Sequence, residues 1–179
     1  MISRRRFLRN TLLGGLLLGG AATVGRHLSG YHLAPELAVR LKSLTPKEYL
    51  IFDAVARRML APDGPDAPGA DQLQAALFAD GYLARLDEGM QSDVRALLQL
   101  VEHGSFLFRP RFSRFTHMTP DEQDATLADW ETSRLAVRRR GFQALKTLAL
   151  LGYWRDDRTW PLIGYTGPTL PERQQAKVE

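Results

Sequence analysis

The chain has 179 residues, of which 44% are apolar and 25% are charged, proportions typical of one globular domain. It contains no cysteine, which excludes disulfides, cysteine-ligated iron–sulfur clusters, c-type haem attachment and zinc ribbons. Any electron carrier that works with this chain is therefore expected on another chain.

The positive charge of the chain is concentrated at its N-terminus. The formal net charge is +4 and the sequence pI is about 9.7, yet residues 1–26 contain five arginines and no acidic residue. The rest of the chain is nearly neutral. This asymmetry is typical of a targeting segment rather than of a nucleic-acid-binding surface, so no nucleic-acid partner is expected.

The N-terminal segment resembles a twin-arginine (Tat) export signal, whose S-R-R-x-F-L pattern is met by Ser3, Arg4, Arg5, Phe7 and Leu8. An apolar stretch with four glycines follows over residues 11–24. As a helix it would be about 21 Å long, shorter than the ~30 Å hydrocarbon core of a bilayer. The alternative is a basic amphipathic or anchoring helix, and without a clear Ala-x-Ala cleavage site the segment could persist as a membrane tether.

The remaining chain shows helical periodicity and no strand alternation. Thr45, Pro46 and Glu48 predict a capped helix that ends before Pro62. A loop over 62–69 is followed by a helix weakened at Gly81 and by another that stops at Gly104. Residues 119–122 repeat the capping pattern, and a long helix from about residue 133 is expected to be capped at Gly152.

These patterns predict an all-α fold: a single helical bundle that follows an N-terminal signal helix and ends in an irregular loop rich in Trp, Tyr, Gly and Pro. Residues 1–30 are assigned to the signal peptide or tether, 31–43 to a linker and 44–179 to the helical domain.

Residues able to carry catalysis are sparse. The four histidines, His27, His32, His103 and His117, have no metal-ligand spacing, and nucleophile-elbow and phosphate-loop motifs are absent. His103 is expected near a helix end, where the dipole favours a positive charge. We therefore assign no catalytic, cofactor-binding or metal-binding residue. A hydrolase that uses Asp156 and Asp157 as acid and base is the enzyme alternative.

Several motifs identify a family resemblance. They are L-T-P-K-E-Y at residues 44–49, F-T-H-M-T-P-D-E-Q at 115–123, L-G-Y-W at 151–154 and W-P-L-I-G-Y-T-G-P at 160–168. With the twin-arginine start, they resemble the gluconate 2-dehydrogenase subunit 3 family.

The resemblance implies a small, Tat-exported, non-catalytic partner of a flavin-dependent dehydrogenase of the glucose-methanol-choline type. FAD is then expected on the catalytic subunit, and none on this chain. The expected partners are that subunit, the Tat translocase and a cytochrome c subunit, in the periplasm or on the outer face of the cytoplasmic membrane. The alternative is a free-standing exported or membrane-tethered helical scaffold or binding protein.

The C-terminal loop is the predicted partner surface, because interface hot spots favour Trp, Tyr and Arg. The residues assigned to it are Tyr153, Trp154, Arg155, Trp160, Tyr165 and Pro168. The alternative is that these rings close the open end of the bundle, and one loop can serve both roles. The Arg109–Phe115 stretch, expected to be a half-buried loop, is the other candidate surface.

Overall fold

The computed structural model describes residues 30–62, 64, 67–108 and 113–167, and the chain divides after residue 34. Within the described residues every regular element is a helix, which confirms the all-α prediction. The α-helices are α1 (Pro35–Ala38), α2 (Pro46–Met59), α3 (Ala75–Leu83), α4 (Glu88–Phe108), α5 (Pro120–Glu131) and α6 (Ala136–Trp154). Two 3₁₀ helices cover Phe115–His117 and Asp157–Ile163. The predicted signal residues Ser3, Arg4, Arg5, Phe7 and Leu8 lie outside the described residues.

Helix α2 is the central element of the bundle. It packs against α3, α4, α5 and α6, and its inward face carries Ile51, Phe52 and Val55, all fully buried. The backbone N–H of Glu48 donates to the Thr45 hydroxyl at 3.3 Å, and Glu48 Oε2 accepts from the Thr45 N–H at 2.9 Å. This predicted capping box satisfies two N–H groups that a helix start leaves without partners.

The same local chemistry starts α5. The backbone N–H of Glu122 donates to the Thr119 hydroxyl at 3.4 Å, and the Glu122 carboxylate accepts from the Thr119 N–H at 3.1 Å. Helix α5 then places Leu127 and Trp130 in the core, where Trp130 is 2% exposed. Both capping boxes were predictable because their partners are only three residues apart in the chain.

Two glycines that were expected to end helices lie inside them instead. Helix α4 continues through the buried Gly104 to Phe108, and α6 continues through Gly152 to Trp154. A Cβ at Gly152 would lie 3.3 Å from Ala75 Cα and 3.2 Å from Phe78 Cδ1. Gly152 therefore permits the close approach of α6 to α3. A glycine costs about 1 kcal/mol in a helix, which packing of this kind readily offsets.

The expected position of His103 at a helix end is consequently wrong, because α4 extends five residues beyond it. His103 Nε2 instead lies 3.1 Å from the Lys47 ammonium, which also donates to Gln99 Oε1 at 2.6 Å. Partial burial lowers the pKa of Lys47. His103 thus belongs to a polar contact between α2 and α4.

Asp80, on α3, binds the backbone of residues 42–44, which lead into α2. Its carboxylate is 1% exposed and accepts three backbone N–H groups, from Lys42 at 2.7 Å, Ser43 at 2.9 Å and Leu44 at 2.7 Å. A buried charge is tolerated only when it is bonded in this way. Asp80 therefore fixes the junction between the segment predicted as a linker and the helical domain.

Glu102 plays a comparable part on α4. Its side chain is fully buried and accepts hydrogen bonds from the backbone N–H of Thr116 at 3.1 Å and from the Thr116 hydroxyl at 2.7 Å. Gln123 on α5 donates to the carbonyl of Phe115 at 3.0 Å. These bonds hold the first 3₁₀ helix between α4 and α5.

Candidate partner-binding site

The C-terminal segment, residues 153–167, begins with the last two residues of α6 and continues through the second 3₁₀ helix. Asp156 starts this helix by accepting the backbone N–H of Arg158 at 3.2 Å. Thr159 is fully buried and its hydroxyl donates to the carbonyl of Asp156 at 2.7 Å. The segment predicted to be irregular therefore contains one short regular turn, which is anchored by a single buried polar side chain.

Two arginines tie the C-terminal segment to the residues before α3. Arg155 donates to the Leu73 carbonyl at 3.2 Å, and its guanidinium lies 4.9 Å from the centre of the Phe78 ring. Arg158 donates to the Gln72 carbonyl at 3.1 Å. Arg155, predicted to contact a partner, is exposed and also holds the segment against its own domain.

Trp160 organises the aromatic part of the segment. Its indole N–H donates to the carbonyl of Trp154 at 2.9 Å, and its ring meets Tyr165 edge to face at 5.2 Å. Gly164 adopts a left-handed φ of +67°, which lets the chain turn so that Tyr165 returns to Trp160. The half-buried Trp160 therefore fixes the shape of the segment rather than filling the core of the bundle.

Trp154 and Tyr153 are also half-buried, and their rings meet edge to face at 5.0 Å. Neither is among the fully buried side chains of the core. The structure thus brings Tyr153, Trp154, Arg155, Trp160 and Tyr165 together in one segment. Pro168, the last residue predicted for the site, lies outside the described residues.

The most exposed apolar residues of the segment are Tyr165, which the sequence analysis selected, and Leu162 and Ile163, which it did not. Ile163 is 62% exposed, Leu162 45% and Tyr165 45%; we call these three residues the C-terminal apolar patch. A signal for it exists in the sequence, because an apolar pair between Pro161 and Gly164 lies in a turn too short to bury both side chains. Contiguous exposed apolar residues are a common feature of interaction sites.

The geometry does not support the alternative of a hydrolase that uses Asp156 and Asp157 as acid and base. Arg158 holds the Asp156 carboxylate at 2.7 and 2.8 Å, and chiefly through these hydrogen bonds it lowers the pKa of Asp156 to about 2. Such a carboxyl is ionised at neutral pH and cannot act as a proton donor there. Asp157 is exposed at the surface of the same turn.

The other candidate surface is only partly described. Residues 109–112 lie outside the described residues, and Phe115, at the end of the stretch, is fully buried. Of the remaining histidines, His32 and His117 are exposed, and His27 lies outside the described residues. In the part of the chain that the structure describes, no three His, Asp or Glu side chains are grouped to hold a metal ion.

None of the helices described is both long and apolar enough to cross a bilayer.

Comparison with known proteins supports the resemblance noted from the motifs. Neither a search of curated proteins nor a search of solved structures returned a significant match. The family model described as gluconate 2-dehydrogenase subunit 3 matches residues 46–167, more than half of the chain. The matched region runs from the first residue of α2 to the end of the C-terminal segment. The chain therefore belongs to the gluconate 2-dehydrogenase subunit 3 family.

Proposed function

We propose that this chain is the non-catalytic small subunit of an exported, flavin-dependent alcohol or sugar dehydrogenase. The observation that carries the proposal is an exposed apolar patch on a hydrogen-bonded turn, at the end of the region that matches the family. On this proposal Leu162, Ile163 and Tyr165 contact the catalytic subunit. Trp160, Arg155 and Arg158 act from behind the patch by holding the turn in place.

In this proposal the catalytic subunit carries out the oxidation, and this chain supplies the export signal. The catalytic subunit would hold FAD and oxidise a substrate hydroxyl, then pass electrons to a cytochrome c subunit or a quinone. The absence of cysteine fits a chain that takes no part in this electron path. The Tat route carries folded proteins, so a flavoprotein loaded in the cytoplasm could cross the membrane bound to the signal-bearing subunit.

The docking part of the proposal is tested by placing a charge in the patch. Ile163→Asp should weaken capture of the co-expressed catalytic subunit by at least about ten-fold, because loss of a hot-spot side chain at the centre of an interface costs about 2 kcal/mol or more. The thermal unfolding midpoint should remain unchanged, since the side chain is 62% exposed. Met90→Asp is the matched control, because Met90 is 54% exposed on α4.

Trp160→Ala separates the two roles of the segment. Because Trp160 bonds to Trp154 and packs on Tyr165, its loss should lower both the unfolding midpoint and capture. Equal capture by Ile163→Asp and Met90→Asp would show that the patch is not the docking site.

The export part of the proposal is tested at the twin arginines. Changing Arg4 and Arg5 together to Lys should leave this chain and its catalytic partner in the cytoplasm, as measured by cell fractionation and immunoblotting. Arg6→Lys is the matched control, because it makes the same charge-conserving replacement at a position outside the pair. Export of both chains by the double variant would contradict the Tat assignment.

The accessory role is tested with the purified chain alone. It should contain no flavin, haem or metal and should have no dehydrogenase activity, whereas the complex should show a flavin absorbance spectrum. Stoichiometric FAD on the isolated chain would overturn this proposal.

A further inference from the structure

A surface cavity lies between α3 and the segment that leads into α2. Residues 39–42 form one wall, and Leu77, Asp80 and Gly81 of α3 form the other; we call it the α3 cavity. All of these residues follow the division of the chain after residue 34. The volume of the cavity is about 490 Å³, within the range of about 300–1,000 Å³ that is typical of sites for small ligands.

Hydrogen bonds hold the two walls of the α3 cavity in place. The backbone N–H of Lys42 donates to Asp80 Oδ2 at 2.7 Å and so joins the first wall to α3. The N–H of Arg40 donates to the carbonyl of Leu37 at 3.0 Å, within a turn that continues from α1. The shape of the cavity is therefore set by the fold, which reduces the ordering cost that binding must overcome.

Gly81 leaves one side of the α3 cavity open. A Cβ at this position would meet nothing within 4 Å, whereas a Cβ at Gly141 or Gly152 would crowd against a neighbouring helix. A glycine inside a helix costs about 1 kcal/mol relative to alanine, and at Gly81 no close packing contact offsets that cost. Residues that break a local rule in this way are expected at functional sites. The missing side chain enlarges the cavity beside α3.

The lining of the α3 cavity combines aliphatic side chains with two cations. Val39, Leu41 and Leu77 supply the aliphatic part, and Arg40 and Lys42 supply the positive charge. Both cations are exposed. In the described part of the chain, no carboxylate forms an ion pair with either of them. An anionic group at this position would therefore meet uncompensated positive charge.

The remaining features of the lining exclude other classes of ligand. Both carboxylate oxygens of Asp80 already accept backbone N–H groups, so this residue has little capacity left to bind the hydroxyl groups of a sugar. None of the described residues that line the cavity is aromatic, whereas nucleobases usually stack on aromatic rings. The lining matches a molecule that has an aliphatic chain and an anionic head.

We propose that the α3 cavity binds an aliphatic carboxylate, with its chain along Leu77 and Gly81 and its carboxylate at Arg40 and Lys42. The volume equals that of about 16 water molecules in the liquid, so a chain of about ten carbons fits. The N-terminal segment does not match the cavity, because residues 1–26 contain five arginines and no acid. The inference does not depend on the proposed function, and the cavity shares no residue with the C-terminal apolar patch.

Titration of the full-length protein with decanoate, below its micelle concentration, tests the proposal. By isothermal titration calorimetry, decanoate should bind about ten-fold more tightly than decan-1-ol, since one hydrogen bond to a charged group accounts for about a factor of ten. In NMR spectra, decanoate should shift the backbone amide signals of Leu77 and Gly81. The amide signal of Ile163, in the C-terminal apolar patch, is the internal control and should not shift.

Two variants separate the space of the cavity from its charge. Gly81→Leu should weaken decanoate binding at least about ten-fold, because the added side chain takes the space of the ligand chain, and it should not lower the thermal unfolding midpoint. Ala125→Leu, at an exposed position on α5, is the matched control and should bind decanoate normally. Arg40→Gln together with Lys42→Gln changes only exposed side chains and should lower the affinity for decanoate to that for decan-1-ol.

The results that would overturn the proposal are equally specific. They are no binding of decanoate, equal affinity for decanoate and decan-1-ol, unchanged binding by either cavity variant, or a larger shift at Ile163 than at Gly81. Shifts at Gly81 that are caused by the catalytic subunit but not by decanoate would also overturn it, in favour of a docking site for a protein segment.

Discussion

Asp80→Ala is expected to be among the most destabilising single substitutions outside the apolar core. The change removes one carboxylate and leaves three backbone N–H groups, those of Lys42, Ser43 and Leu44, without their acceptor. An unsatisfied buried donor costs the full desolvation of that group. The entry to α2 should loosen as a result.

The magnitude follows from the exposure of the three donors. A hydrogen bond to a charged acceptor contributes about 1.5–3 kcal/mol. Lys42 is exposed and Ser43 is half-buried, so water can replace part of what they lose, whereas Leu44 is only 5% exposed. We therefore expect the full energetic cost of a lost hydrogen bond for Leu44 and a fraction of it for Lys42 and Ser43. Together these should lower the free energy of unfolding by about 3–4 kcal/mol. That is a large share of the roughly 5–15 kcal/mol of a typical domain.

Asp80→Asn is the matched control. Its amide oxygen can still accept from Ser43 and Leu44, but its NH₂ group would face the N–H of Lys42, so a smaller loss of about 1–2 kcal/mol is expected. Urea denaturation followed by circular dichroism measures both variants, and hydrogen exchange at Leu44 reports local opening. Losses below about 0.5 kcal/mol, or a larger loss for Asn than for Ala, would refute the reasoning.

Two further predictions concern stability. A Cβ at Gly141 would lie 2.5 Å from Leu97 Cδ1, so Gly141→Ala should destabilise the domain by about 1–2 kcal/mol. A Cβ at Gly81 would meet nothing within 4 Å, so Gly81→Ala should stabilise the domain by about 0.5–1 kcal/mol. Thermal unfolding of the two variants measures the opposite signs, and destabilisation by both would show that the packing argument is wrong. Hydrogen bonds from Arg58 lower the pKa of Asp124. At a pH above the ordinary Asp pKa, this exposed pair should stabilise the fold by about 0.5 kcal/mol. The contribution should be lost as the pH falls through the lowered pKa of Asp124. Asp124→Asn should therefore reduce stability at neutral pH and have no effect in strong acid, and an equal effect at both pH values would contradict the assignment.

The sequence by itself determined the features whose causes are local. The capping boxes at Thr45 and Thr119 join residues three apart, and the periodic apolar positions of α2 follow directly from the helical repeat. The all-α class and the family motifs were readable for the same reason. The position of the aromatic C-terminal segment was readable too, because Trp, Tyr, Gly and Pro concentrate there.

Only the tertiary structure decided which glycines end helices and which side chains of that segment face solvent. Gly152 was expected to cap α6, but its contact with Ala75 joins positions far apart in the chain, and no local pattern encodes such a contact. In the sequence, Asp80 looks like an ordinary acidic residue of a helix. Only the fold brings the backbone N–H groups of the residues before α2 within hydrogen-bonding distance of its carboxylate. Trp160 and Ile163 are both apolar, yet hydrogen bonding and ring packing half-bury the first and leave the second exposed. Burial depends on the surrounding fold, which local sequence patterns do not specify.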